Sequence, residues 1–256
     1  MCLILFSYKK HKKYKLILAA NRDEFYARPT DPVSRWNKGS GIIAGKDLEA
    51  GGTWMGISEN GRFAALTNFR DPKSIKKDAL SRGLLVSDFL EGKNSSPEEY
   101  LNHVAAQKNL YNGFNLLAGD RDDLYYFSNH EGIVKKIEPG LHGLSNHLLD
   151  TPWPKVEKGK KYLESLINSE CFENHEKVFA FLEDSKIPPD QLLPETGMGI
   201  DWERILAPLF IKSEVYGTRS SSFLLIGYDG KGIFTEKTWI KAGASVMAGE
   251  TRVINF

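Results

Sequence analysis

Short apolar runs punctuated by turn-forming residues dominate the first 70 positions of the chain. Residues 2–8 and 14–20 are mostly aliphatic or aromatic, and Lys9, Lys10, His11, Lys12 and Lys13 join them. Two such runs with a basic polar link predict a β-hairpin whose tip lies in water. Residues 41–44, 53–58 and 62–67 have the same character, and Glu59-Asn60-Gly61 between the last two is a tight-turn signal. Leu80, Leu84, Leu85, Phe89 and Leu90 instead recur at helical spacing, which predicts a helix over 79–90. Pro97, Glu98 and Glu99 open a second helix that runs to Gln107. A meander of strands follows at 114–118, 124–127 and 133–137, then helices at 156–167 and 177–182. Residues 184–193, with three prolines, read as a surface connection, and strands return at 221–228, 233–240 and 244–248.

Strands, helices, strands, helices and strands in that order do not alternate as a parallel doubly wound protein would. The pattern predicts an α+β architecture with mostly antiparallel sheets. No internal repeat, linker or composition break divides the chain, so a single domain over 1–256 is expected.

Composition narrows the partners. With 34 basic and 33 acidic side chains among 256 residues the net charge is +1, which gives no field for nucleic acid. No run approaches the roughly 20 apolar residues that cross a bilayer, so no stable membrane insertion is expected. The apolar start precedes its basic cluster, the reverse of a secretory signal, and a cytoplasmic location follows as the expectation. Two cysteines, Cys2 and Cys171, make no disulfide framework, and Cys171, between helical segments, reads as inert. His142 and His147 flank Asn146, but HExxH and paired CxxC patterns are absent and no metal or cofactor is expected. A small-molecule ligand or substrate is the partner the chain implies; its oligomeric state is not legible.

Cys2 carries the candidate chemistry. Removal of Met1 would put a thiol and a free amine on one residue. A thiol titrating near about 8.5 and an α-amine near about 8 are matched for proton transfer at neutral pH. Buried packing is the competing role, since free cysteine is among the most buried residue types. Asn21-Arg22-Asp23-Glu24 follows the second strand, where a hairpin returns it toward Cys2. In extended chain Asn21 and Asp23 project to one side and Arg22 and Glu24 to the other, so Asp23 is placed to hold the new amine with Asn21 beside it.

Asn21-Arg22-Asp23-Glu24 near a Met-Cys start resembles the signature of the NRDE family, also called the transport and Golgi organisation protein 2 family. Gly51-Gly52-Thr53-Trp54-Met55-Gly56, Thr67-Asn68-Phe69-Arg70, Gly143-Leu144-Ser145-Asn146 and Tyr216-Gly217-Thr218-Arg219 are similar to that family's other motifs. The same landmarks distantly resemble the choloylglycine hydrolase and penicillin V acylase group. That resemblance implies an N-terminal-nucleophile hydrolase-like four-layer αββα sandwich. It also implies amide hydrolysis of a small acylated compound, with Cys2 as nucleophile and Asp23 orienting the amine. Asn146 and the backbone N–H near Asn68 would hold the oxyanion, and Arg219 would add positive potential. Asn21, Arg22, Trp54 and Trp153 are the candidate substrate-binding residues. The sequence departs from those hydrolases in carrying Ala20 where they place an arginine near the thiol, with Arg22 on the strand face opposite Asp23. A non-catalytic carrier or chaperone of haem or of acyl-CoA and lipid-type ligands on the same frame is therefore the alternative expectation.

Overall fold

The computed structural model describes residues 2–37, 39–92, 95–169 and 172–256, so Cys171 lies outside the described residues. In chain order the strands are β1 (Cys2–Tyr8), β2 (Tyr14–Phe25), β3 (Thr30–Arg35), β4 (Ile42–Asp47), β5 (Met55–Ser58), β6 (Phe63–Asn68), β7 (Phe114–Gly119), β8 (Leu124–Ser128), β9 (Val134–Lys136), β10 (Gly140–Leu144), β11 (Tyr216–Gly227), β12 (Gly232–Ala242) and β13 (Ser245–Asn255). The helices are α1 (Gly83–Glu91), α2 (Pro97–Ala106), α3 (Pro154–Ile167), α4 (His175–Leu182) and α5 (Ile200–Leu206). These elements fall into two compact units. One comprises Met1–Ala27, Pro139–Ser145 and Leu149–Phe256, and the other Arg28–Glu138 and Asn146–Leu148.

The first unit holds a six-stranded sheet in the order β10-β1-β2-β11-β12-β13, antiparallel throughout. Leu3, Leu5, Ile17, Ala19, Phe223 and Leu225 pack on one face with Val156 and Leu163 of α3 and Val178, Phe179 and Leu182 of α4. Each such side chain contributes about 2 kcal/mol by leaving water. Ile4, Phe6, Leu18, Ala20 and Leu224 on the alternate positions are also buried. Burial on both faces explains why 2–8 is a continuous apolar run rather than an alternating one.

The second unit holds a seven-stranded antiparallel sheet in sequential order, β3 to β9. Ala64, Leu66, Phe114, Leu116 and Ala118 pack there with Leu85, Val86, Phe89 and Leu90 of α1 and Leu101 and Val104 of α2. The predicted Asn-Gly turn is present between β5 and β6, with Gly61 at φ +83°. Gly52 permits a close approach: a Cβ there would lie 2.4 Å from the Gly83 carbonyl carbon, so any side chain would push the start of α1 away. α1 starts at Gly83 instead of the predicted residue 79 because Leu80 is taken into a bridge with Tyr111, its N–H donating to the Leu110 carbonyl at 2.9 Å.

The mostly antiparallel α+β architecture agrees with the sequence pattern. Five elements differ from that pattern. β10 and β3 were not predicted, because Gly140–Leu144 becomes a strand only by pairing with β1, and Thr30–Arg35 by pairing with β4. α5 is a seven-residue helix too short to show a period. β2 and β11 each extend several residues beyond their apolar runs, for reasons that define the site below. Among the described residues, no helix is long and apolar enough to cross a membrane. The basic link 9–13 forms the tip of the β1–β2 hairpin, with Lys10, Lys12 and Lys13 exposed.

Candidate functional site

Asn21-Arg22-Asp23-Glu24 lies inside β2 rather than in a turn after it. Polar residues hold the strand there because both edges find partners. Cys2 and Leu3 of β1 stand opposite Arg22 and Asn21. On the other side, Ser221, Ser220, Thr218 and Gly217 of β11 stand opposite Asn21, Arg22, Asp23 and Glu24. Thus the first sequence motif and Tyr216-Gly217-Thr218-Arg219 are ladder partners. Directly opposed residues project to the same face, so Cys2, Arg22 and Ser220 share one face and Leu3, Asn21 and Ser221 the other. Arg22 is therefore on the thiol's own face, beside it.

Asp23 is 1% exposed. Its Oδ1 accepts a 2.7 Å hydrogen bond from Thr218 Oγ1, which itself accepts from the Ile211 N–H at 2.9 Å, and Tyr216 donates its hydroxyl to the Asp23 carbonyl at 2.8 Å. Burial pushes the Asp23 carboxyl up to about 6 against the positive chain terminus, Lys155, the Thr218 hydroxyl and Arg22, all of which favour its ionised form. Cys2 is also buried, at 7% exposure, and its backbone carbonyl accepts from Ser145 Oγ at 3.2 Å. Burial raises its thiol, with the Asp23 carboxylate adding to the rise and the chain terminus and Arg22 opposing it. At neutral pH the resting sulfur is thus a thiol, while the neighbouring carboxyl is ionised. Such a pair needs a separate base to make a nucleophile.

The other residues picked from the sequence in this unit are placed as follows. Asn21 donates both amide hydrogens, to the Leu182 carbonyl at 2.9 Å and the Leu209 carbonyl at 2.8 Å, and accepts from Ser221 Oγ at 2.6 Å. Its amide is spent on tying β2 to the end of α4 and the 206–211 segment, not turned toward a ligand. Trp153 likewise belongs to the core cluster with Leu3 and Leu163, at the N-terminus of α3. Arg219 is the extra residue of a bulge, unmatched between the Thr218–Asp23 and Ser220–Arg22 pairs. Bulges re-aim side chains, and its Nη1 donates to the Phe25 carbonyl at 2.9 Å and the Tyr26 carbonyl at 3.2 Å. Burial and the nearby Arg22 lower its affinity for a proton. Gly217 must lack a side chain, since a Cβ would fall 2.0 Å from the Tyr26 hydroxyl and 2.6 Å from the Ile211 carbonyl.

Asn68, Asn146 and Trp54 belong to the second unit. Asn146 is fully buried and donates from Nδ2 to the Asn68 carbonyl at 3.0 Å, while its own carbonyl accepts from the Arg70 N–H at 2.7 Å. The two asparagines predicted as oxyanion partners are therefore adjacent, and one amide hydrogen of Asn146 is already used. The Phe69 N–H, next to Asn68, goes to the Gly113 carbonyl at 2.9 Å. Trp54 is half-buried and accepts at its carbonyl from the Leu66 N–H. His147 lies against the Phe69 ring, whose other neighbour His130 stacks on it at 3.7 Å; burial lowers both imidazoles. His142 stands on β10, with Nδ1 2.8 Å from Asp150 Oδ2. Among the described residues no group of three or more His, Cys, Asp or Glu is placed to hold a metal ion.

Sequence reasoning missed Thr218, Tyr216 and Lys155. The first two sit in a motif that had been noticed without a role, and their alternation in a polar strand was the available signal. Lys155 had a fainter one, a cation in the first turn of a helix.

These features define an antiparallel α+β protein with a buried cysteine and a buried aspartate on adjoining strand positions. The family described as Transport and Golgi organisation 2 matches residues 1–241, and the chain belongs to that family. The mouse Transport and Golgi organization 2 homolog is 37% identical over 268 residues, covering 96% of this chain and 95% of its own. The human homolog is 36% identical and covers 100% of this chain and 99% of its own, and the Drosophila melanogaster Transport and Golgi organization protein 2 is 29% identical over 93% and 92%. Among solved structures, the mutant C2A conjugated bile acid hydrolase from Clostridium perfringens superposes with a TM-score of 0.48 at 9% identity, covering 100% of this chain and 97% of that one.

Proposed function

We propose that this protein is an N-terminal-nucleophile amidohydrolase-like protein in which Cys2 attacks the carbonyl of a small acylated amide. The single observation that carries this reading is the placement of Cys2, at the start of β1, one ladder position from Asp23, whose carboxyl is buried under the positive charge of the chain terminus. Loss of Met1 would put that charge on Cys2 itself. The α-amine, in its neutral form, would take the thiol proton as sulfur attacks, and ionised Asp23 would orient it. The ammonium would then protonate the leaving nitrogen, and water would release the acyl group from sulfur. The resemblance noted in the sequence assigns the oxyanion to the Asn68 and Asn146 pair and positive potential to Arg219, and it implies a four-layer αββα arrangement. Removal of one such oxyanion donor costs about 3 kcal/mol of transition-state stabilisation. Asn21 and Trp153 take structural places in this reading.

The test begins with intact mass. Absence of Met1, followed by alkylation of Cys2 by an acyl-mimicking electrophile, is the expected result. Asp23→Asn slows that alkylation about 10- to 100-fold, and the wild-type rate rises with pH through about 6 as Asp23 ionises. A retained Met1, or an Asp23→Asn rate equal to wild type, removes the hydrolase reading.

One observation favours the alternative, a carrier of haem or acyl-CoA-type ligands: the Cys2 thiol is buried and raised, a resting state rather than an activated one. A raised thiol also fits poorly as an iron ligand, so haem capture in this reading does not run through Cys2. Haem titration of Cys2→Ala should then give the same saturable absorbance change as wild type, and no change in either protein removes haem.

A further inference from the structure

Lys155 breaks two local rules at once. It is 3% exposed, although lysine is almost never buried without compensation. It also stands second in α3, where the helix dipole disfavours a cation. A side chain that costs free energy on both counts calls for compensating acceptors or negative charge. Its Nζ donates to the Leu206 carbonyl at the end of α5, 2.9 Å away. The same buried 206–211 segment receives Asn21 at the Leu209 carbonyl and gives the Ile211 N–H to Thr218, the hydroxyl that donates to Asp23. Lys155 therefore sits in one connected polar layer with Asp23, and its positive charge reaches that carboxylate. The other charged or titratable groups facing Asp23 are the positive chain terminus, whose charge acts on it more strongly than that of Lys155, Arg22 on its own strand, Tyr26 just beyond that strand, Cys2 on β1 and Tyr216 on β11. Glu203 of α5, also buried, accepts from the Thr196 N–H at 3.1 Å.

We infer that Lys155 is a positioning residue that acts through Asp23: its buried ammonium, held by the Leu206 carbonyl, adds to the positive charge of the chain terminus in favouring the ionised Asp23 carboxylate. This rests on the proposed function only for its consequence, since Asp23 orients the amine only when charged. Lys155 touches no reacting atom in this scheme.

The experiment follows the Asp23 carboxyl carbon by NMR in protein labelled at aspartate side chains, with Asp23→Asn to assign the signal. Lys155→Gln keeps a donor for the Leu206 carbonyl and removes the charge; Lys155→Arg keeps the charge. The expected result is an Asp23 midpoint about one pH unit higher in Lys155→Gln, with Lys155→Arg restoring it. Alkylation of Cys2 at pH 6.5 should then fall about threefold in Lys155→Gln, following the smaller ionised fraction. An unchanged midpoint in Lys155→Gln, or an equal rise in Lys155→Arg, overturns the inference. If the midpoint rises while Cys2 alkylation ignores it, Lys155 retains its role and the hydrolase reading fails instead. Should Lys155→Gln not fold, Lys155→Met carries the same measurement, and loss of folding in both but not in Lys155→Arg supports the charge as the required feature.

Discussion

The two sheets bury their polar groups differently. In the seven-stranded sheet the buried centre is neutral: Asn115 donates to Thr67 Oγ1 and the His147 carbonyl, both at 3.0 Å, and accepts from the Tyr126 hydroxyl at 2.8 Å. Two cations, Arg62 and Arg70, are buried in the same unit, and Arg62 finds the Phe89 and Ser95 carbonyls. In the six-stranded sheet and its helices lie all the buried acids among the described residues, Asp23, Glu203 and Glu236, together with Lys155 and Cys2. One sheet buries cations and neutral polar groups but, among the described residues, no acid. The other buries acids together with a lysine and a thiol, which is where chemistry is to be sought.

That contrast breaks most visibly at Asn115. Replacing it with alanine removes one hydrogen bond from each of three groups at once, and each such loss costs about 1 to 3 kcal/mol. Asn115→Ala is expected to lose about 4 kcal/mol of unfolding free energy in urea, by the same amount at pH 5 and pH 8. A loss that varied with pH would mean that Asn115 is coupled to the half-buried imidazole of His147, whose carbonyl it holds.

Asp23→Asn should do the opposite. The Asp23 carboxyl is raised in the folded protein to about 6 from an unfolded value near 3.8. Folding therefore favours the protonated form, and the stability this gives is fully present below pH 4 and is lost as pH rises through 6. At pH 8 the ionised wild type carries a penalty of about 3 kcal/mol that the amide escapes. Asp23→Asn is expected to be more stable than wild type by that amount at pH 8 and nearly equal to it at pH 4. A destabilised variant at pH 8 would assign Asp23 to architecture rather than function.

Sequence patterning found the strands and helices that stand on apolar runs, including both central hairpins and α2. It misplaced the ends of β2 and β11 because those ends are polar. Asn21 to Glu24 and Tyr216 to Ser220 pair with each other across almost two hundred residues, with β1 on the other edge of β2 at Asn21 and Arg22. That long-range pairing hid the role of Thr218, and the register of the β1–β2 hairpin put Arg22 on the thiol's face. Asn68 and Asn146 were picked as partners from motif resemblance, and they are in contact. Asn21 and Trp153 were picked by position, and packing claimed both. Residues with a chemical signature were legible; what each side chain touches was set by packing that no local pattern encodes.

The smallest expected effect lies in how the two units start their helices. α2 opens with a complete capping box: Ser96 Oγ accepts from the Glu99 N–H at 3.2 Å, Glu99 Oε2 accepts from the Ser96 N–H at 2.8 Å, and Pro97 follows. Two otherwise orphaned donors are satisfied on the surface, where sequence rules apply undisturbed. α3 opens on Trp153 with no side-chain cap, then Pro154 and the buried Lys155. Ser96→Ala should cost about 1 kcal/mol, read as a lower urea midpoint with an unchanged slope, and should leave the Asp23 midpoint where it was. A shift of that midpoint by a surface cap in the other unit would show that the charge state of Asp23 answers to the whole fold, and not to the layer of groups around Lys155.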